Sequence, residues 1–189
     1  TEVVQVKLEH VVAGRGTLID WTNLDTKPSA GFYQGKVIAK GGWYTLKIRS
    51  LVGTSVKDST TLSRVGVGEN FIIAGQSNAQ GTVRRPEEQG SKDDRVICAN
   101  FYNWEAEYNP GTNAKQLELR NLNFPMTEFS QLSNKASIGP MGLSPYYWAN
   151  LGDLLVEKYN VPVCFFNVAW SGTALRNWIE SAKGLSSVN

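Results

Sequence analysis

The sequence predicts an α/β protein, part of a doubly wound parallel sheet preceded by a small all-β module. Three observations carry this expectation. Residues 1–66 show period-2 alternation broken by turn signals, the pattern of short half-buried strands. From residue 67 to residue 189, apolar runs alternate with stretches of helical periodicity, as in βαβ units. The first of those runs breaks off into Gly75-Gln76-Ser77-Asn78. In parallel sheets, ligand and catalytic groups gather where strands end at their carboxyl side.

The β module comes first. Val4, Val6, Leu8 and His10 alternate with Gln5, Lys7 and Glu9. Further strands are predicted at Thr17–Trp21, Phe32–Ile38, Trp43–Leu51 and Thr60–Val67, separated by Gly14, Gly16, the Pro28 region, Gly41-Gly42 and Gly53. In the fourth run Tyr44, Leu46 and Ile48 share one face while Lys47 and Arg49 share the other. Such a set reads as a small sandwich or barrel.

From Gly68 the pattern becomes strand, loop, helix. Strands are predicted at Asn70–Ala74, Arg95–Phe101 and Val161–Val168. Ser144-Pro145 gives an N-cap and first-turn proline to a helix that carries Trp148, Leu151, Leu155 and Tyr159 on one face and stops at Asn160 and Pro162. A last helix, Ala174–Lys183, sets Leu175, Trp178, Ile179 and Ala182 on one face. Residues 103–143, rich in Asn, Gly and Pro, read as a long loop with short helical turns.

Composition narrows the function classes. Hydrophobic residues make up 41% of 189 and charged residues 19%, with a net charge of +2. No basic excess points to a nucleic-acid partner, and no apolar run approaches the roughly 20 residues of a membrane helix. Aromatics reach 11%; such rings serve sugar-binding surfaces and cores alike. Cys98 and Cys164 each lie in an apolar run and read as structural thiols. The chain opens on Thr-Glu with no signal peptide, and the lack of an initiator Met predicts that a leader or flanking sequence was removed.

Ser77 is the candidate nucleophile. Phe71, Ile72 and Ile73 run into Ala74 and Gly75, and the small residues Gly75 and Ala79 flank the serine. Small flanks permit a sharp strand-to-helix turn that pushes a hydroxyl outward. A serine followed by Asn after a strand also serves as a helix cap. The second constellation is Asn167-Val-Ala-Trp-Ser-Gly-Thr173, where small residues expose backbone N–H groups ahead of the last helix. It is also an ordinary strand-to-helix turn. In a doubly wound sheet, both stretches reach one rim.

At these residues the sequence resembles the SGNH hydrolases. Gly75-Gln76-Ser77-Asn78 looks like the nucleophile block of the branch of sialate O-acetylesterases and related carbohydrate acetylesterases. Pro162-Val163, then Ala169-Trp170-Ser171-Gly172-Thr173 and Trp178, resembles that branch's second block, with Ser171 where another Gly often stands. Gly139-Pro140-Met141 through Leu151-Gly152 to Glu157 resembles the segment between, and a β module ending in a run like Gly42-Trp43-Tyr44 is a feature of the branch. The resemblance implies Ser77 as nucleophile, with the N–H groups of Ser77 and Gly172 as oxyanion donors. Gln76, Asn78, Trp170 and Thr173 become candidate substrate contacts. It implies a serine esterase acting on an acetylated carbohydrate, without metal or cofactor, in a secreted or periplasmic protein. An α/β-hydrolase is disfavoured because Ala79 breaks Gly-x-Ser-x-Gly.

One departure is large. The family carries a further oxyanion block and a terminal Asp-x-x-His with the catalytic base, and this sequence has neither. Its one histidine, His10, reads as structural. In the flavodoxin-like order 2-1-3-4-5, the Ser77 strand would lie between the two cysteine strands, and Val163, Cys164, Phe165 and Phe166 would form a bare apolar edge. The chain is therefore expected to be the N-terminal portion of a larger esterase, completed by the remainder of its own polypeptide. The alternative is a non-catalytic carbohydrate-binding or accessory module on the same fold.

Overall fold

The structure, a computed structural model, describes residues 2–11, 16–81, 89–100, 128–133, 138, 139, 142 and 145–185. The chain divides into two compact units, Thr1–Glu69 with Asn160–Pro162, and Asn70–Tyr159 with Val163–Asn189.

The first unit is an antiparallel sheet of four strands, β1 (Glu2–His10), β2 (Ile19–Asp25), β3 (Gly42–Val52) and β4 (Ser55–Val67), in the order β2-β1-β3-β4. The predicted alternation sets its faces. Val4, Val6 and Leu8 are buried and pair with Ser50, Ile48 and Leu46 of β3. On the opposite face Lys7 bridges Asp20 at 3.2 Å and Lys47 bridges Glu9 at 2.8 Å. Tyr44 is fully buried; its hydroxyl accepts from the Thr17 N–H at 2.9 Å and donates to the Lys40 carbonyl at 2.5 Å. The Arg64 guanidinium lies 4.8 Å from the Trp43 ring centroid.

The strand predicted at Phe32–Ile38 does not form. Phe32 turns back to bridge Ser29, residues 33–40 are irregular, and Ile38 is 93% exposed. Asp25 draws this segment into a loop by accepting the N–H groups of Lys27 and Gln34. Local side-chain bonding here outcompetes an extended ladder.

The second unit holds a mixed sheet with helices, so its content is α/β. Its strands are β5 (Glu69–Ile73), β6 (Val96–Asn100), β7 (Glu128–Gln131) and β8 (Val163–Asn167), in the order β5-β8-β6-β7; the first residue of β5, Glu69, belongs to the first unit. β6 and β8 are parallel, and β7 is antiparallel to β6. The bonds from Val168 N–H to the Ile73 carbonyl and from Trp170 N–H to the Gly75 carbonyl advance together, so β5 also runs parallel to β8. Among the described residues the helices are α1 (Ser77–Gln80), α2 (Trp148–Tyr159) and α3 (Leu175–Ala182).

This order corrects the flavodoxin-like expectation. The Ser77 strand is an edge of the sheet, and β8 is interior with Val163 and Phe165 fully or nearly fully buried. The physical reason lies in composition. Val163-Cys-Phe-Phe166 is apolar at every position and suits a strand covered on both faces, whereas β5 begins with Glu69-Asn70 and leaves Ile72 72% exposed. The bare apolar edge expected at β8 is therefore absent. The cysteines are unpaired, as expected, but for a different reason. Their strands are adjacent; Cys164 pairs with Ile97 and Cys98 with Phe165, which sends the two thiols to opposite faces of the sheet.

β7 is a further correction, since it falls within the stretch read as loop; residues 103–127, 134–137, 140, 141 and 143 of that stretch lie outside the described residues, as does the cap residue Ser144. α2 forms where predicted but presents Ala149, Gly152 and Val156 to the core, while Leu151 and Tyr159 are 37% and 51% exposed. The predicted residues Trp148 and Leu155 do pack against this core, half-buried, but its fully buried stripe stands one residue further on because the small side chains let the helix lie close on β6 and β8. A Cβ on Gly152 would overlap Val96 Cγ1 and reach within 3.1 Å of Phe165 Cε2. The core joins these residues to Ile73, Cys98, Leu132 and Ile138. α3 has no fully buried residue: on the predicted face Leu175, Ile179 and Ala182 are exposed, while Trp178 is half-buried.

Candidate active site

Two strand ends build the site. β5 ends at Ile73, and the chain turns through Ala74 and Gly75 before Ser77 opens α1, with Gln76 at the cap. Gly75 has φ +152, and a Cβ there would meet Ala79 Cβ at 2.8 Å. The sharpness of this turn thus depends on both small residues. Ser77 is exposed, as are Gln76 and Asn78. Gln76 gives no side-chain cap. As the first residue of α1, Ser77 has a backbone N–H with no intrahelical acceptor.

β8 ends at Asn167, and the following turn carries Ser171, Gly172 and Thr173 to α3. The Trp170 N–H donates to the Gly75 carbonyl at 3.0 Å, tying the two strand ends together. Ser77 and Gly172 each stand two residues beyond that bond, on turns that leave the same end of the sheet. Gly172 is exposed, takes φ +78 and has open space where a Cβ would stand.

Buried polar side chains, not singled out from the sequence, fix this arrangement. Asn167 is fully buried; its Nδ2 donates to the Ala79 carbonyl at 2.8 Å and its Oδ1 accepts the Ala169 N–H at 2.9 Å. Gln80 is 5% exposed, and its Oε1 accepts the Ser171 N–H at 2.9 Å. The Trp148 indole N–H also reaches the Ala79 carbonyl, at 3.3 Å. The Ser77 turn and the Gly172 turn are therefore held by a network with few alternatives. A signal existed in the sequence: Asn167 ends an otherwise apolar strand, and a polar group in such a place must find partners.

Thr173 differs from the other candidates. It is 7% exposed; its hydroxyl donates to the Trp170 carbonyl at 2.7 Å and accepts the Trp178 indole N–H at 3.0 Å. These bonds shape the turn. Asn177 Oδ1 accepts the Ala174 N–H at 2.8 Å and starts α3. Trp170 is half-buried. An apolar hollow of about 550 Å³ opens beside the turn, lined by Gln76, Val168, Thr173, Leu175 and Trp178 among others; Ser77 and Gly172 do not line it.

His10 sits on β1 opposite Tyr44 of β3, in the first unit. Among the described residues no group of three His, Cys, Asp or Glu side chains could hold a metal ion. Burial pushes the Cys98 thiol up to about 12 and the Cys164 thiol to about 11, so neither is a ready nucleophile at neutral pH.

No family model matches the chain, and no curated protein matches it in sequence. Among solved structures it is similar to a carbohydrate acetylesterase from Xanthomonas citri, with 15% identity and a TM-score of 0.46. The match covers 95% of this chain, which spans 37% of that one. A likeness of this grade sets neither the family nor the activity of this chain.

Proposed function

We propose that the second unit carries the nucleophile part of a serine esterase site that removes O-acetyl groups from a carbohydrate. The observation that supports this reading best is the exposed Ser77 on a turn hydrogen-bonded, through Gly75 and Trp170, to the turn bearing Gly172. In the reaction, Ser77 Oγ attacks the acetyl carbonyl carbon, and the N–H groups of Ser77 and Gly172 stabilise the oxyanion. The sugar oxygen leaves with a proton, and water then hydrolyses the acetyl-serine. Gln76, Asn78 and Trp170 would contact substrate.

The base that takes the Ser77 proton is proposed to come from the remainder of a longer polypeptide, in a secreted or periplasmic setting. A positioned base typically contributes about 10²–10⁴-fold. These 189 residues alone are therefore expected to hydrolyse an aryl acetate slowly. A longer polypeptide supplying a histidine should be fast on both the aryl acetate and an acetylated sugar, and Ser77→Ala should abolish that activity. Wild-type rates surviving in Ser77→Ala would remove Ser77 from the chemistry. A longer protein that carries such a histidine yet is inactive on both esters would favour a non-catalytic carbohydrate-binding module.

A further inference from the structure

The first unit has a feature that the esterase reading does not use. Asp25 holds both ends of the loop after β2, accepting the Lys27 N–H at 2.8 Å and the Gln34 N–H at 3.0 Å. These donors keep its carboxyl below the usual range. Within the loop, Ser29 and Phe32 exchange two backbone bonds of 3.0 and 2.9 Å around Ala30 and Gly31, which take φ 52 and 79. The turn so fixed leaves Phe32 80% exposed and Tyr33 46% exposed. A phenyl ring held in water contributes little to a core.

Beside these rings lies a hollow of about 240 Å³ that Phe32 and Tyr33 line together with Glu2, Ser50, Asp58 and Thr60. Its floor is the Val4 and Ile48 face of the sheet. Arg49 also borders it, but its guanidinium is engaged: two bonds of 2.9 and 2.7 Å go to Gln5 Oε1, and the group stacks 4.0 Å from the Trp21 centroid. The hollow thus offers an aromatic platform, the carboxylates of Glu2 and Asp58, the latter also accepting the Ser59 N–H at 2.8 Å, and the hydroxyls of Ser50, Ser59 and Thr60.

We propose that this hollow binds a neutral sugar ring, stacked by its C–H face on Phe32 with its hydroxyls donating to Glu2 and Asp58. A carboxylate is an acceptor only, and bonds to it are the stronger kind, which matches a ring of hydroxyl donors. With Arg49 turned to a neutral partner, the two carboxylates outnumber the one guanidinium, and the net negative charge disfavours uronic and sialic acids. The volume is below the roughly 300–1,000 Å³ of drug-sized sites, so it suits one ring of a chain. Such a contact belongs near the weak end of recognition, with a Kd on the order of 1 mM. The site is independent of Ser77, and its failure leaves the esterase reading untouched.

The test is titration of the full ¹⁵N-labelled chain with neutral cello-, xylo- and manno-oligosaccharides, and with oligogalacturonate. Amide shifts should be confined to residues 28–33, 48–50 and 58–60 for at least one neutral series and absent for oligogalacturonate. Phe32→Ala, at a position already in solvent, should weaken binding about ten-fold, Phe32→Tyr should retain it, and Asp58→Asn should weaken it several-fold. The proposal is overturned by any of three results: no shift with any neutral saccharide, affinity unchanged in Phe32→Ala, or oligogalacturonate bound as well as the neutral chains.

Discussion

Gln80 does more for the candidate site than its position just past the Gly75–Asn78 block suggests. Its buried amide oxygen takes the Ser171 N–H, so Gln80→Met keeps the volume and strands that donor. The expected cost is about 1 kcal/mol, read as a lower urea midpoint at unchanged m-value. The thiols give a second check. Cys98 and Cys164 are raised from 9.0 to about 12 and about 11 by burial. Below pH 9 both folded and unfolded chains keep these protons, so the thiols leave stability unaffected there. Above it the unfolded chain ionises first, and stability falls steadily towards pH 12. Urea midpoints measured from pH 8 to 11 should decline, and a Cys98→Ala, Cys164→Ala chain should decline less steeply. An aromatic disulfide reagent at pH 8 should find neither thiol until urea is added.

At the level of elements, α2 shows what period alone cannot decide. Trp148, Leu151, Leu155 and Tyr159 fit a helical face, and the helix does form, yet its closest contacts run through Ala149 and Gly152. Gly152→Ala should cost about 1–3 kcal/mol through overpacking against Val96 and Phe165. Leu154→Ala, at a side chain 63% exposed, should stay within about 0.5 kcal/mol. Measured midpoints in the reverse order would return the core face to the larger residues. The strands β1, β3, β5, β6 and β8 were legible because side-chain alternation or a continuous apolar run announces them. Strand order was not, since pairing depends on which strand best tolerates two covered faces. β7 was missed because Glu-Phe-Ser-Gln carries too short a pattern. For the site, Ser77 and Gly172 were legible as strand-end residues, while Gln80 and Asn167 acquire their roles only when the strand ends meet.

Taken as a molecule, two compact units should unfold as two cooperative transitions. Tyr44→Phe, which removes the hydroxyl shared by Thr17 and Lys40, should lower one midpoint, and Gly152→Ala the other. Calorimetry in which either variant shifts both transitions equally would mean one cooperative body. The first unit is not continuous in sequence, since it takes in Asn160–Pro162, with the Glu69 N–H bonded to the Pro162 carbonyl at 3.0 Å. That short return has a consequence for synthesis. A ribosome that has released the four antiparallel strands has not yet released the tripeptide that completes their unit, and everything from Asn70 to Tyr159 must emerge in between. The amino-terminal unit thus gains its last contacts late although it is translated first, and a nascent chain stalled before Asn160 would lack the Val161 and Pro162 side chains that stand against Gly41 and Gly66.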